Sequence, residues 1–355
     1  MRKVLVIQTA FPGDLILLTP LLEALKAGND PVHLSLLTLP GNTGLFENNP
    51  FVDEILTYDK KGTEKGLVPF LKLVLCLRKK RFDTALIPHP SLRSALLAFL
   101  GGIPERLGFA HRQCAFLYTN RVDTRGTVHE VERNLTLSAA FGVPGSGFVP
   151  GLFPSERDEY EAGEILEEAG IKTDHPFVAV APGSTWPTKA WPEDKYRRLL
   201  GEVRVEYPVV LIGGKGDIDL CARLAGSYDG DEGFPVSSAA GRTNFLQSAV
   251  LISMAGVLVS GDSAPVHLAS AVGTPVVILY GPTVSTFGFY PYGVPFRVVK
   301  KDLVCRPCST HGPKRCPLGH FKCMMDIGEK EVLDAALELL RTSAGTSGGR
   351  MNEAS

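Results

Sequence analysis

Residues 256–280 read GVLVSGDSAPVHLASAVGTPVVILY. Two aliphatic runs, Gly256–Ser260 and Pro275–Tyr280, flank a helical pattern that begins after Asp262. This strand–helix–strand order is typical of a parallel sheet. Asp262 is the only Asp, Glu, Lys or Arg between Arg242 and Arg297. A carboxylate in such an apolar stretch needs a hydrogen-bond donor, a cation or a ligand as its partner, because burial of a bare charge is costly.

The alternation of short apolar runs with amphipathic runs continues in both directions along the chain. Strands are predicted over 3–8, 33–37, 54–57, 84–88, 177–181, 209–213, 256–260 and 275–280. Helices are predicted over 15–27, 67–80, 92–100, 156–169, 193–205, 218–225, 245–254 and 265–271. The pattern indicates an α/β protein with two parallel sheets that face each other across a cleft.

The Gly- and Pro-rich stretch over 142–154 has the composition of a linker. We therefore expect a first domain over 1–155 and a second domain over 156–328. A C-terminal helix over 329–341 follows, and one interpretation is that it packs back on the first domain. The small and polar tail over 342–355 is expected to be disordered.

The composition is that of a globular protein, with 355 residues, 44% hydrophobic and 21% charged. A net charge of -1 provides no basic field for nucleic acid, so we expect no nucleic-acid partner. The N-terminus is too short and too soon polar to be a signal peptide, and no stretch qualifies as a transmembrane helix. With seven cysteines and no leader, a reduced cytosolic compartment is expected.

Gly13 and Asp14 directly follow the first predicted strand. Gly13 permits a tight turn, and Asp14 then stands at or near the start of a helix. A helix-capping aspartate is one interpretation, and the spacing alone favours it. A general base at the carboxyl edge of the sheet is the other. The loop lacks the G-x-G-x-x-G pattern of nicotinamide enzymes.

A second cluster of polar residues follows the first strand of the second half. Ser184, Thr185 and Lys189 leave this strand end together. Lys189 is suited to a phosphate as a point charge, with the two hydroxyls donating hydrogen bonds beside it. The alternative is a solvated lysine in an ordinary loop.

A third group surrounds Asp262. If a helix starts after Asp262, the free amides of Ser263 and Ala264 form an anion site, and His267 lies one turn further on. Gly281 and Thr283 end the next strand at the same edge of the sheet.

Two further segments have open interpretations. Four cysteines, with two histidines interspersed, either hold a structural zinc or remain reduced thiols. These cysteines are Cys305, Cys308, Cys316 and Cys323. The basic, apolar run Leu71–Arg81 is suited either to an anionic membrane surface or to the exposed end of a core-packed helix, and the second interpretation is favoured.

Taken in order, these motifs resemble glycosyltransferase family nine, the bacterial ADP-heptose:lipopolysaccharide heptosyltransferases, and most of all the heptosyltransferase II branch. The resemblance runs from Lys3 to about Leu340. It is carried by Gly13-Asp14-x4-Thr19-Pro20, Pro182-Gly183-Ser184-x4-Lys189-x-Trp191-Pro192, Gly213-Gly214, Asp262-Ser263, His267, Gly273-Thr274-Pro275 and Gly281-Pro282-Thr283.

The resemblance implies a GT-B fold of two Rossmann-like domains, an inverting reaction and no catalytic metal or other cofactor. Asp14 matches the general base, and Lys189 matches the lysine that neutralises the diphosphate. Asp262 matches the acid that holds the donor sugar, and it then faces a sugar instead of a salt-bridge partner. The remaining residues match the donor-binding set, namely Gly13, Ser184, Thr185, Ser263, Ala264, His267, Gly281 and Thr283.

The implied reaction transfers L-glycero-D-manno-heptose from ADP-heptose to the lipopolysaccharide inner core. We expect a cytoplasmic monomer at the inner face of the cytoplasmic membrane. Basic residues of the first domain are candidates for the acceptor site, namely Arg93, Arg112, Arg121 and Arg133. Two alternatives stay open: another GT-B nucleotide-sugar enzyme with a different donor or acceptor, and a non-catalytic nucleotide-sugar binding protein.

Overall fold

The computed structural model describes residues 1–60, 62–110, 114–127, 129–172 and 175–347. The chain forms two compact units, Met1–Phe153 and Pro154–Ser355, so the boundary lies two residues before the predicted one at 155. Each unit combines a parallel sheet with helices, which confirms the predicted α/β class. Over these ranges, no helix is long and apolar enough to cross a membrane.

The first unit is built on a sheet that has six parallel strands in the part described. The strands are β1 (Arg2–Ile7), β2 (Val32–Thr38), β3 (Glu54–Thr57), β4 (Thr84–Ile87), β5 (Glu105–Phe109) and β6 (Asn120–Val122). Their order is β3-β2-β1-β4-β5-β6, so β1 and β4 are neighbours although they are distant in the chain. The direction of winding therefore reverses between β1 and β4. This switch point is where doubly wound folds bind ligands.

The second unit repeats this topology, again with six parallel strands over its described residues. The strands are β7 (Val178–Ala181), β8 (Val209–Leu211), β9 (Val236–Ser238), β10 (Val257–Gly261), β11 (Val276–Tyr280) and β12 (Phe296–Lys300). The order β12-β11-β10-β7-β8-β9 places the switch point between β7 and β10.

Helices connect the strands and cover the two faces of each sheet. In the first unit they are α1 (Pro12–Ile16), α2 (Thr19–Lys26), α3 (Leu67–Lys80), α4 (Leu92–Leu100) and α5 (Glu130–Leu135). In the second they are α6 (Glu156–Glu168), α7 (Glu193–Val203), α8 (Ile218–Gly226), α9 (Phe245–Met254), α10 (Ala264–Val272), α11 (Lys322–Met325) and α12 (Glu329–Ser347). Every residue of β7, β10 and β11 is buried, as expected for strands covered on both faces.

The helix predicted over 15–27 is two helices, α1 and α2, and the prediction of one continuous helix is wrong. Pro20 lies in the first turn of α2, where it cannot donate a backbone hydrogen bond. The hydroxyl of Thr19 donates to the carbonyl of Ile16 across the break, at 2.8 Å. Helix α1 therefore ends at Ile16, and Asp14 lies in a helix of only five residues.

The C-terminal helix α12 packs against the core of the second unit, and the interpretation that it also packs back on the first domain stays a prediction. Val332, Ala336 and Leu339 share one face of the helix and enter the core of the second unit. Leu340 lies so close to Gly256 that a Cβ on the glycine would meet its Cδ2 at 2.5 Å. The apolar stripe of α12 is therefore buried in the core of the second unit.

Helix α12 also continues to Ser347, beyond the predicted end at 341, which corrects the expectation that disorder begins at 342. Within this extension, the hydroxyl of Thr342 bonds back to the carbonyls of Glu338 and Leu339 of the preceding turn, at 3.2 and 2.9 Å. The rest of the predicted tail, 348–355, lies outside the described residues.

The packing of α12 predicts the effect of a core truncation. Leu339→Ala should lower the free energy of unfolding of the second unit by about 2–5 kcal/mol, because Leu339 is buried. Both tryptophans of the chain lie in this unit, so urea denaturation followed by tryptophan fluorescence measures the change. Asp334→Ala, on the exposed face of the same helix, is the control and should change stability by less than about 1 kcal/mol. Equal stability of Leu339→Ala and wild type would contradict this packing.

Candidate active site

The switch point of the second sheet brings two distant segments to one edge. Strands β7 and β10 pair in parallel with Ala181 beside Ser260, so both chains leave the sheet at the same level. The segment after β7 ends in a short 3₁₀ turn at Lys189, and the segment after β10 begins with Asp262. The topology therefore accounts for the meeting of these two residues.

Lys189 and Asp262 form a salt bridge at this edge. The Nζ of Lys189 lies 2.7 Å from Oδ2 of Asp262 and 3.3 Å from its backbone carbonyl. The hydroxyl of Thr283 donates to the same Oδ2 at 2.7 Å. The Lys189 and Asp262 side chains are only 11% and 12% exposed. The predicted need for a partner is thus met inside the protein, and the expectation that Asp262 has no salt-bridge partner is wrong.

A buried tyrosine is part of the electrostatic environment of the pair. Tyr280 ends β11 beside Asp262 and is almost fully buried. Burial raises the pKa of Tyr280, and the negative charge of Asp262 raises it further. The phenol is therefore neutral at physiological pH, and Lys189 is the cation that compensates Asp262.

Helix α10 begins directly after Asp262, as predicted. Ser263 is its N-cap residue, but the side chain of Ser263 does not cap the helix. Its hydroxyl lies 3.3 Å from the carbonyl of Gly261 and 3.3 Å from the hydroxyl of Ser260. Ala264 opens the helix, Pro265 follows in the first turn, and His267 is buried one turn in. A helix N-terminus without a side-chain cap has amides that attract an anion.

Ser184 and Thr185 have different environments in the segment after β7. Ser184 closes a local turn, since its hydroxyl donates to the carbonyl of Trp186 at 3.0 Å and accepts from its amide at 3.2 Å. Thr185 is exposed. Ser184 therefore shapes the loop, whereas the hydroxyl of Thr185 faces solvent.

Several glycines permit close packing around the pair. A Cβ on Gly281 would lie 2.5 Å from the sulfur of Met324 and 3.2 Å from the carbonyl of Thr188. A Cβ on Gly261 would lie 3.2 Å from the carbonyl of Lys189. Gly281 thus lets the end of β11 approach the Lys189 turn, which is a packing role that the sequence motif did not reveal.

The four-cysteine segment does not assemble a metal site in the part of the chain described. No group of three or more His, Cys, Asp or Glu residues there is arranged to hold a metal ion, and all four cysteines are free thiols. The sulfur of Cys305 lies 3.9 Å from Nε2 of His320. Burial raises the pKa of Cys323 to about 11, whereas backbone amides led by that of Phe321 lower the pKa of Cys316. Cysteine and histidine are the usual donors of structural zinc, but the arrangement of the described residues gives the zinc interpretation no support.

The four-cysteine segment instead braces the Lys189 turn. The ring of His311 stacks on Trp186, with the centroids 6.2 Å apart and the planes 10° apart. The buried hydroxyl of Thr188 donates to the carbonyl of Pro313. The turn that carries Lys189 is therefore held from outside the sheet.

The same segment also holds the strand end that supplies Thr283. The amide of Cys308 donates to the carbonyl of Pro282 at 2.9 Å. The guanidinium of Arg306 donates to the carbonyl of Thr283 at 2.7 Å. Arg306 is absent from the predicted site residues, and His311 entered them only as one of the two histidines among the cysteines, where the composition is typical of metal binding. Both residues lie in the segment that follows the last site motif, Gly281-Pro282-Thr283, and this adjacency was the available signal.

In the first unit, Asp14 follows β1 at the switch point beside β4. It is the third residue of α1, and its Oδ2 accepts a hydrogen bond from the amide of Phe11 at 3.2 Å. The half-buried carboxylate therefore does cap helix α1, but it does so from the third position of the helix and not from the predicted N-cap position. Gly13 is buried within the same turn. The location at the carboxyl edge is compatible with a second role as a base.

The basic residues predicted for the first unit have different surroundings. Arg93 opens α4 and lies against Tyr58, with its guanidinium carbon 5.9 Å from the ring centroid. Arg121 is exposed in β6, Arg133 is paired with Glu130, and Arg112 lies outside the described residues. Among residues that the motifs missed, Lys60 donates to the hydroxyl of Thr9 at 2.9 Å, at the carboxyl edge of β1.

Comparison with known proteins relates this geometry to one family. The model of glycosyltransferase family 9 (heptosyltransferase) matches residues 70–318. Lipopolysaccharide heptosyltransferase 2 of Escherichia coli K12 is 27% identical over 348 residues, which cover 95% of this chain and 98% of that protein. Lipopolysaccharide heptosyltransferase 3 of the same strain is 28% identical over 287 residues, which cover 78% and 82% of the two chains.

The fold has the same relatives. The solved structure of E. coli ADP-heptose lps heptosyltransferase II superposes with a TM-score of 0.77 at 24% identity and covers 96% of this chain and 99% of that one. The predicted GT-B class of two Rossmann-like domains is thereby confirmed. The family match spans most of the chain and includes the Lys189 turn, Asp262 and the first three of the four cysteines. The chain is therefore a glycosyltransferase and belongs to glycosyltransferase family 9, the heptosyltransferases.

Proposed function

We propose that this chain transfers L-glycero-D-manno-heptose from ADP-heptose to the lipopolysaccharide inner core, with inversion and without a metal ion. The observation that carries the proposal is the grouping of Lys189, Asp262 and Thr283 at the N-terminus of α10. A cation and a helix N-terminus at one switch point suit a nucleotide diphosphate. The donor is ADP-heptose because the relatives are named for it and for heptosyl transfer.

On the donor side, the leaving group is a diphosphate that gains negative charge as the glycosidic bond breaks. Lys189 neutralises this charge, and the first amides of α10 add their partial positive charge. Asp262 fixes the position of Lys189 and has acceptor capacity for the sugar hydroxyls. The hydroxyl of Thr185 is exposed and available to the phosphates, and Ser184 holds the loop in shape.

On the acceptor side, a sugar hydroxyl must lose its proton as it attacks the anomeric carbon. Asp14 is the base that accepts this proton, and attack from the face opposite the leaving group inverts the anomeric configuration. The hydrogen bond from Phe11 holds the carboxylate in its place. Lys60 and Arg93 lie on the same unit and suit the anionic groups of an inner core.

The acceptor, location and assembly state are part of the same proposal. Relatives named heptosyltransferase 2 and heptosyltransferase 3 have nearly equal identity to this chain, so both acceptor types deserve testing. The protein acts as a cytoplasmic monomer at the inner face of the membrane. The electrostatic work falls to Lys189 and α10 in this scheme, which is why we propose that the reaction proceeds without a metal.

A transfer assay tests the proposal directly. Purified protein is given ADP-heptose and core acceptors that carry no heptose, one heptose or two heptoses, and products are identified by mass spectrometry. We expect one added heptose on one acceptor class, an inverted anomeric centre by NMR, and an unchanged rate in excess EDTA. Transfer from another nucleotide sugar, or ADP-heptose binding without turnover on every acceptor, would contradict the proposal.

The base assignment predicts the behaviour of two Asp14 variants. Asp14→Asn should lower the transfer rate about 10²–10⁴-fold, because the amide cannot accept the proton. Asp14→Ala should lose the same activity and about 1 kcal/mol of stability, because it also removes the contact with Phe11. ADP affinity, measured by calorimetry, should stay within about twofold of wild type in both. Full activity of Asp14→Asn would remove the assignment.

The phosphate assignment predicts weaker nucleotide binding without Lys189. Lys189→Ala should raise the Kd for ADP about 10–100-fold, since a charge-assisted hydrogen bond contributes about 1.5–3 kcal/mol. Lys172→Ala, an exposed lysine of the same unit, removes the same charge and is the control. Calorimetric titrations of both variants give the comparison. Equal ADP affinity in Lys189→Ala and the control would exclude Lys189 from the phosphate site.

A further inference from the structure

Helix α3 is apolar on its buried face and also on an exposed side. Phe70, Val74 and Leu77 lie on the face that enters the core of the first unit. An adjacent, exposed side of the helix carries a second set of aliphatic side chains, namely Leu67, Val68, Leu71 and Leu75, which are 70%, 64%, 45% and 56% exposed. The solvent face of a surface helix in a soluble protein is normally polar. Four large aliphatic residues on one exposed face therefore indicate a surface that contacts something other than water.

The same helix carries a concentration of positive charge. Its sequence contains no Asp or Glu from Leu67 through Phe82, whereas it contains a lysine in the second turn and a basic run at its C-terminal end. Lys80 is paired with Glu54. Lys72, Arg78, Lys79 and Arg81 form no ion pair with any residue that the structure describes. Since the whole chain has a net charge of -1, this positive charge is a local feature.

The two sets of residues share one surface. At 100° per residue, Val68, Leu71, Lys72, Leu75 and Lys79 form one stripe along the exposed side of α3. Along the stripe, the aliphatic side chains of Val68, Leu71 and Leu75 are interspersed with the basic side chains of Lys72 and Lys79. A helix of 14 residues spans about 21 Å, so the stripe is long enough to lie flat on a broad surface.

A groove extends this surface to the neighbouring helix. It has a volume of about 550 Å³ and lies between the N-terminal ends of α3 and α4. Its lining is almost entirely apolar, with Leu67 and Phe70 on one side and Leu92 and Leu96 on the other. Among the residues that line the groove, Arg93 is the one that carries a charge. An apolar groove with a cation at its edge matches an acyl chain with an anionic headgroup.

We propose that the exposed stripe of α3, with the groove beside α4, docks the protein on an anionic lipid bilayer. The aliphatic residues enter the interface between headgroups and acyl chains, and the lysines and arginines contact the negative headgroups. The positive charge of α3 favours an anionic bilayer over a second copy of the chain. Self-association would place the unpaired cations of two α3 helices in one interface, where they would repel each other. The inference deepens the proposed function, in which the acceptor is a lipid-linked sugar, but its test uses neither donor nor acceptor.

Vesicle co-sedimentation of the full chain tests this surface. The probes are phosphatidylcholine vesicles with and without 30% phosphatidylglycerol, at low and high salt, and the readout is the bound fraction. We expect binding to the anionic vesicles that is at least about tenfold stronger than to the neutral ones and that weakens with salt. Equal binding to both vesicle types, or none to either, would overturn the proposal, whatever the outcome of the transfer assay.

Two pairs of substitutions locate the surface. Leu71→Ser with Leu75→Ser, and Lys72→Glu with Lys79→Glu, should each lower anionic-vesicle binding at least about tenfold. The matched controls lie on the second unit: Val205→Ser with Ile218→Ser removes two exposed aliphatic residues, and Lys172→Glu with Lys330→Glu makes the same change in net charge. Thermal unfolding should show that each α3 variant is folded, because the replaced side chains are exposed.

Two outcomes of this series would count against the bilayer as the occupant. Undiminished binding of the α3 variants would overturn the proposal. So would light scattering that shows a dimer for wild type and a monomer for Leu71→Ser with Leu75→Ser. A Leu75→Trp variant gives an independent readout, since its added fluorescence should shift to the blue on anionic vesicles and stay unshifted on neutral ones.

Discussion

The arrangement of the candidate site in the second unit depends on one salt bridge, between Lys189 and Asp262. The two residues are 73 positions apart in sequence and meet because β7 and β10 are neighbours at the switch point of the second sheet. Each charge is nearly buried, so each would be costly without the other. The surrounding elements preserve the pair: Thr283 bonds to Asp262, and the four-cysteine segment holds both Thr283 and the Lys189 turn.

This arrangement places two demands on Lys189. It compensates Asp262 in the ligand-free protein, and in the proposed reaction it also meets the diphosphate. An ammonium group has three donors, so it can keep Asp262 while it contacts an anion. The carboxylate then acts as a positioning group that fixes the lysine before the donor binds. A charge that is already in place stabilises a transition state without the cost of reorganisation.

Much of the fold could be predicted from the sequence, and the reason is physical. Strands such as β10 and β11 are buried on both faces and are read as continuous aliphatic runs. The prediction missed four strands, β5, β6, β9 and β12. Strands β6, β9 and β12 are partly exposed at the sheet edges, so their composition does not distinguish them from loops. Strand β5 is an interior strand, but Glu105, Arg106 and Gly108 interrupt its aliphatic pattern. Asp14 and Lys189 follow strands of this aliphatic kind, so their location beyond the strand ends was predictable as well.

The contacts between motifs could not be predicted in this way. The sequence indicates that Asp262 needs a partner, but only strand order determines that the partner is Lys189. The cysteines indicate a metal site by composition, whereas the packing of Arg306 and His311 makes the segment a brace. The boundaries of α3 follow from its sequence, but only burial shows that it is apolar on an exposed side as well as on its buried face.

The most direct measurement of the central claim is a double-mutant cycle on ADP affinity, with wild type, Lys189→Met, Asp262→Asn and the double variant compared by calorimetry. If Asp262 positions Lys189 for the diphosphate, Asp262→Asn weakens ADP binding when Lys189 is present and does not weaken it in the Lys189→Met background. The expected coupling is at least about 1.4 kcal/mol, a tenfold difference in Kd. Additive effects of the two substitutions would contradict the account.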